Sequence, residues 1–468
     1  MTLARSNSVL LWLVAVGFFM QTLDATIVNT ALPTMAAALG ESPLRMQSVI
    51  VAYSLTMAMV IPASGWIADR FGTRRVYLTA IALFVLGSVL CALAASLNQL
   101  VVARVFQGCG GALLLPVGRL AVLRAFPREQ FLKAMSFVAI PGLIGPLVGP
   151  TLGGWMVEYL TWHWIFLVNV PVGVLGMLAT LRFMSEGPRI AVKRFDGVGY
   201  ALLAFGMVAV SLTLDGLSWL GLAGAAALLF AGLGSLAAYW WHALRRPDPL
   251  FAPELFALRS LRIGLLGNLF SRLGSACMPF LIPLVLQVCM QFSPMQAGMM
   301  MLPTVLASML VKRMATALIL RWGYRRTLVA NTCILAALIA SFALIGPGLP
   351  LWLLIVQLLA FGASNSMQFT AMNTVTLKDL DAAHASSGNS LLSMVQMLAM
   401  GMGVAVSAAV LAGFHDLWGQ ANPHESLRAF QATFACMGLL TLASAAIFAR
   451  LDRVEDLRPQ AEQPVTEA

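Results

Sequence analysis

The sequence predicts an all-α protein embedded in a membrane along nearly its whole length and crossing it about fourteen times. Two observations carry that expectation. Of 468 residues, 60% are hydrophobic and only 10% are charged, against about 25% charged in soluble domains, and the mean hydropathy is +0.86. The apolar residues fall in unbroken runs of about 20, the length of a bilayer-crossing helix rather than of alternating barrel strands. Length alone would suggest roughly three soluble domains, but so few charges cannot cover a soluble surface. A soluble enzyme, a nucleic-acid binder and a disordered scaffold are thereby disfavoured.

The runs lie near 8–32, 47–68, 76–97, 99–121, 134–157, 162–184, 197–216, 220–241, 263–289, 296–320, 328–346, 351–375, 387–413 and 428–449. Their loops set the orientation, because cytoplasmic loops collect Lys and Arg. One side holds Arg5, Arg70, Arg74, Arg75, Arg124, Arg128, Lys133, Arg189, Lys193, Arg194, Arg245, Arg246, Arg259 and Arg262, and then Arg321, Arg325, Arg326, Lys378, Arg450 and Arg453. The opposite loops hold little beyond Arg45 and Arg428. The net charge of +10 is therefore a topology signal, and both termini are expected in the cytoplasm. The first run is too long for a cleaved signal peptide and contains Asp24. The six cysteines fall within spans without metal spacing and read as small packing residues. The last 18 residues are polar and expected to be disordered.

After the second run the chain reads Gly65-Trp-Ile-Ala-Asp69-Arg70-Phe-Gly72-Thr-Arg74-Arg75. After the tenth it reads Arg321-Trp-Gly323-Tyr-Arg325-Arg326. Aligning Gly72 on Gly323 puts Arg70 on Arg321 and Arg75 on Arg326, an offset of 251 residues (323 − 72). That is about eight spans at roughly 20 residues plus a loop each. Transporters are often built from two parallel halves, and halves of six spans would give an offset of six. Two extra helices, the seventh and eighth, are therefore expected between them. The resulting division is 1–190, 191–255, 256–450 and a polar tail, 451–468.

Asp24 is the sharpest single residue, an acid well inside a span. Burying a carboxylate in a bilayer is costly, so such an acid marks function by default. Gly17, Gln21 and Asp24 share a helix face that could line an aqueous cavity. A carboxylate that binds and releases a proton in each cycle is what coupling requires. The competing assignment is a capping or structural Asp near the outer end of the helix. Arg104 sits a few residues into the fourth run and needs a partner, water or an interface. Its alternative is snorkelling to the outer headgroups. Gly145, Gly149 and Gly153 form a stripe that lets helices touch, and Pro146 and Pro150 are expected to bend the same helix at a gate between the halves.

These residues also carry a resemblance. Gly65–Arg75 resembles the G-x-x-x-D-R-x-G-x-R-R loop of the major facilitator superfamily. The stretch with Arg104, Gln107, Gly108 and Gly111 is similar to that superfamily's fourth-helix motif. Gly145-Pro146-Leu-Val-Gly149-Pro-Thr-Leu-Gly153-Gly154 resembles its antiporter fifth-helix motif. Leu23–Pro33 and Trp162–Gly173 resemble the fourteen-helix drug/proton antiporter branch. The resemblance implies a six-plus-two-plus-six helix fold and a proton-transfer role for Arg104.

Gly65, Asp69, Arg70, Gly72, Arg74 and Arg75 are expected to form a cytoplasmic latch between the halves, the bland alternative being a basic topogenic loop. The second copy has Thr316 and Leu320 in place of Gly65 and Asp69, so its latch should be weaker or absent. Candidate cavity residues are Gln21, Asn29, Asn268, Arg272, Asn365 and Gln368, with Ser275, Ser364 and Asn373 nearby. Lys312 and Arg313 either face the cavity or snorkel. Basic groups toward the cavity fit an anionic or zwitterionic substrate better than a strictly cationic one. His163 lies between two tryptophans that read as an interfacial belt, with pH sensing as the alternative role. The 26 methionines are core filler or an adaptable apolar lining.

The chain has no phosphate-binding loop that would point to ATP. The expected function is export of varied amphipathic compounds in exchange for protons across a bacterial inner membrane, with transport of one metabolite such as an organic acid as the alternative. A non-transporting sensor or assembly subunit is disfavoured, since it needs no buried acid. No enzymatic activity, cofactor, metal or nucleic acid is expected. The expected partners are a small-molecule substrate, protons and the bilayer, with the monomer as the unit.

Overall fold

The computed structural model describes residues 2–126, 128–186, 194–216, 221–381, 384–418 and 423–451. The described residues are helical throughout, apart from turns and short links. Among them, twelve helices are long and apolar enough to cross a membrane. The expected fourteen include two more. The seventh, Gly197–Gly216, is apolar over the shorter stretch Gly197–Thr213. The tenth is broken into Pro294–Met299, Leu302–Leu310 and a helix beginning at Lys312. Pro303, at the start of the middle piece, has no N–H to continue a helical ladder. The ninth is likewise interrupted, at Ala276–Cys277, with Pro279 opening its second piece.

The first helix runs through Pro33 to Leu39. Asp24 is therefore fifteen residues from that end, about 22 Å of helical rise, and not a capping residue. The fifth helix, Arg128–Tyr159, stays continuous across Pro141, Pro146 and Pro150.

Gly72 and Gly323, paired by the repeat, adopt the same left-handed backbone, with φ of 90° and 75°. Each breaks one helix and starts the next within a single residue. Only glycine takes that conformation readily, so the internal repeat is also a conformational one.

The first and fifth helices meet the ninth and tenth at the end of the bundle opposite the arginine-rich loops. Gln287 Nε2 donates to the Thr30 carbonyl at 3.0 Å, and the Met295 amide donates to Glu158 at 3.1 Å. Gly154 and Gly298 form a reciprocal pair. A methyl on Gly154 would strike the Pro294 carbonyl, and one on Gly298 would strike the Pro150 carbonyl. The second and thirteenth helices, Gln47–Phe71 and Ala385–Trp418, also join the halves, with Gly401 against Ser54. The eighth helix, Gly221–Arg245, packs on the seventh. Leu203 and Tyr239 of this pair share one apolar cluster with Leu55 of the second helix, Leu261 of the ninth and Leu391 of the thirteenth. The seventh and eighth helices therefore pack against the second, ninth and thirteenth together.

Candidate functional site

Asp24 and Arg104 are brought together in the middle of the first half. Both are buried, at 0% and 1% exposed, which excludes snorkelling for Arg104. Arg104 Nη1 donates to Asp24 Oδ2 at 2.6 Å. Gln107 Nε2 donates to Asp24 Oδ1 at 2.7 Å, and Asn169 Nδ2 donates to the same oxygen at 3.2 Å. The guanidinium also donates to Gln107 Oε1 at 2.6 Å and to the Val49 carbonyl at 3.2 Å, and lies 4.1 Å from the Tyr53 ring centroid. Gln107 reaches Ser88 Oγ at 2.9 Å. Five helices thus contribute to one buried ion pair. A buried pair holds only if its remaining donors and acceptors are satisfied, and these amides supply that.

Glycines make the geometry possible. Gly87 lies against the Gln107 backbone and Gly110 against Phe84, so the third and fourth helices almost touch. Gly108 and Gly111 face Tyr53 and Thr56 of the second helix. The small face that carries Arg104 is thus the contact with the second helix. Gly145, Gly149 and Gly153 pack on Thr22, Thr26 and Thr30 of the first helix. The stripe expected to gate the halves therefore holds one half together, while its neighbour Gly154 makes the inter-half contact.

The charged loop also turns inward to its own half. Asp69 pairs with Arg124, which further donates to Thr73. Arg74 donates to the Leu181 carbonyl and Arg75 approaches Glu186 at 3.6 Å. Gly65 has open space where a side chain would begin, so the structure gives it no close-packing role. Leu320 is exposed, while the side chains of Thr316 and Arg313 lie outside the described residues.

Of the expected cavity residues, Asn29 is buried, and Gln21 has a buried Oε1 without a hydrogen-bond partner. Asn268 donates to the Gly264 carbonyl at 3.0 Å and to Thr376 at 3.4 Å. Gln368 sits in a closed network with Asn331 and Thr332 of the eleventh helix. Asn373 accepts from Gln396 of the thirteenth. Arg272 Nη2 is buried and unpartnered, and Lys312 is half-buried. Asn365 is also half-buried. His163 stacks on Trp162 and contacts Thr161, all at the helix end.

Sequence reasoning singled out Asp24 and Arg104 separately and did not pair them. It did not single out Tyr53, Ser88 or Arg119. Arg119 has a buried, unpartnered Nε and lies fifteen residues beyond Arg104, about 22 Å nearer the basic end. Its only sequence signal was a charge inside an apolar run.

The sequence matches the Major Facilitator Superfamily over residues 14–404. It is 51% identical over 443 residues to the "Putative multidrug resistance protein MdtD" of Serratia proteamaculans (strain 568), covering 94% of this chain and 93% of the relative. It is 50% identical to the protein of the same name from Yersinia enterocolitica, covering 94% of each. Among solved structures, it resembles a POT family transporter in complex with 5-aminolevulinic acid, with TM-score 0.67, 16% identity and 95% coverage of each chain. It also resembles the human organic anion transporter MFSD10, with TM-score 0.62, 16% identity and coverage of 94% and 99%. With a family match over most of its length and half-identical relatives nearly end to end, the chain belongs to the major facilitator superfamily, and it is a multi-pass membrane transporter.

Proposed function

We propose that this transporter is a proton-coupled antiporter that exports amphipathic compounds across a bacterial inner membrane by alternating access. The observation that carries the coupling is the buried Asp24–Arg104 pair. Protonation of Asp24 removes the charge that holds the guanidinium, so a proton and Arg104 compete for one carboxylate. Released, the guanidinium keeps Gln107, the Val49 carbonyl and the Tyr53 ring as partners. Asp24 is sealed from solvent here, so proton exchange needs a second conformation, as coupling demands. Relatives named for multidrug resistance support export of varied compounds.

Six helices in each half, two inserted helices and cytoplasmic termini complete the proposed architecture. The repeat at Gly72 and Gly323 and the packing of the inserted pair support it. With the basic loops inside, the joined end is periplasmic. Asp69 and its arginines then form one side of a cytoplasmic latch that is made and broken during alternating access.

An organic acid as the physiological substrate is the second reading, favoured by the unpaired Arg272. Both are tested by transport in proteoliposomes with an imposed pH gradient, screened against cationic drugs and organic anions. Gradient-driven transport that collapses with the pH gradient and is lost in Asp24→Asn is expected. Normal active transport by that variant would remove Asp24 from the mechanism.

A further inference from the structure

Arg272 is a half-buried cation to which the described residues give no counter-ion. It lies thirteen residues into the ninth helix from Arg259, about 20 Å from the basic end, beyond the reach of a snorkelling side chain. Its Nε makes one long bond, 3.4 Å, to Asn268 Oδ1, and its Nη2 is buried without a partner. The guanidinium sits 4.7 Å from the centroid of the Phe369 ring. Phe369 is itself 42% exposed, on the face of the twelfth helix that also carries Asn365 and Asn373. Asp24, the acid deep in a span, is already occupied by Arg104.

An arginine cannot lose its charge, and a guanidinium nitrogen withdrawn from water without a partner is unfavourable. The repeat places this group meaningfully. The offset that puts Gly72 on Gly323 also puts Gln21 on Arg272 and Asp24 on Ser275. Gln21 carries its own unpartnered Oε1 at the equivalent depth of the first helix. Among the described residues, one half therefore holds a buried acid paired with its cation, and at the equivalent depth the other holds Arg272 without a counter-ion.

We propose that Arg272 is the anchor for an oxyanion, in the first place a carboxylate, carried by the transported compound. The planar guanidinium offers two parallel N–H donors to such a group, while Phe369 presents an apolar ring beside it. This rests on the transport reading above and narrows its substrate to compounds with an anionic group. Arg119, nearer the basic end, would draw the same compounds toward the cavity.

The test is binding to the purified, delipidated full chain in detergent, by calorimetry and thermal shift. The probes are 2-naphthoate, decanoate and propane-1,2,3-tricarboxylate, each beside its neutral amide. At least one carboxylate should bind the wild type about tenfold or more tightly than its amide. Arg272→Gln should lose that preference, and Arg272→Lys should keep part of it. Because a charge without a counter-ion is removed, Arg272→Gln without ligand should melt no lower than wild type, which a purely structural arginine would not do. No preference for any carboxylate, a preference that survives Arg272→Gln, or a lowered melting point would each overturn the proposal. Phosphatidylglycerol that binds through Arg272 when no carboxylate does would assign the charge to a lipid phosphate and likewise overturn it. The coupling reading is separated by active transport in Asp24→Asn. If that variant transports actively, coupling fails and the anion site stands; if Arg272→Gln keeps its preference, the site fails and coupling stands.

Discussion

The Asp24 carboxylate and the Arg104 guanidinium, 80 residues apart in the chain, meet at 2.6 Å in the interior of the first half. Each is the other's compensation, so removing one leaves a buried charge. Breaking such a pair costs about 3–5 kcal/mol, whereas neutral isosteric replacement of both is often tolerated. Arg104→Gln alone is therefore expected to lower thermal stability strongly, and Arg104→Gln with Asp24→Asn to recover most of it. Neither should transport against a gradient. Melting curves in detergent check the first claim, and a double variant as unstable as the single one would contradict it.

At the basic end, Asp69 holds Arg124 rather than a group of the other half. Exposed and part-exposed pairs contribute about 0.2–1 kcal/mol, and about 1.4 kcal/mol moves a two-state ratio tenfold. Asp69→Asn should therefore shift the resting population away from the outward-facing state by a few-fold and slow transport, with little loss of stability. Leu320→Ala, which has no charge to lose, should do far less. Paired spin labels across the cytoplasmic ends of the halves read the populations; equal shifts, or none from Asp69→Asn, would reduce the loop to a topogenic turn.

Gly154 and Gly298 close the opposite end backbone to backbone. A leucine at either position would have to displace a helix of the other half, since the atoms it meets are main chain. Gly154→Leu is expected to part the halves there and favour the outward-facing state, visible as longer label distances on that side. Gly413→Leu, which meets open space, is the control and should leave the distances unchanged.

Asp196, just before the seventh helix, ties it to the end of the eighth and to the segment that follows. Burial pushes its carboxyl up, but His242, the Gly199 amide and the Leu250 amide hold it, and the net shift is below the ordinary aspartate value. His242 lies at 2.9 Å and Arg246 at 3.5 Å. A lowered folded pKa means stability that is present above the unfolded value of about 3.8 and lost as pH falls through the folded one. Asp196→Asn should thus lower the melting temperature at neutral pH, with the gap to wild type closing below about pH 4. A gap that is flat with pH would remove the carboxylate's charge from the account.

What the sequence determined by itself was whatever depends on chain-local physics. Hydropathy placed twelve of the fourteen expected spans on long apolar helices, because a bilayer must be crossed by about 20 apolar residues. Glycine periodicity marked the close helix contacts, and the repeat at Gly72 and Gly323 proved to be a shared left-handed backbone. The cost of a buried acid singled out Asp24. Run length alone could not reveal the breaks in the ninth and tenth helices, since composition does not register how Pro279 and Pro303 interrupt an apolar run.

Tertiary structure decided the pairings. Nothing in the spacing of Asp24, Arg104 and Asn169 states that they converge, because rotation and tilt of each helix are set by its neighbours. The same reason separates Gly153, which faces the first helix, from Gly154, which faces the other half. Adjacent residues on a helix point about 100° apart, so one step along the chain changes the partner. Arg272 was legible as a charge in an apolar run; only packing showed that the described residues leave it without a counter-ion, because compensation is a property of distances in space and not of order along the chain.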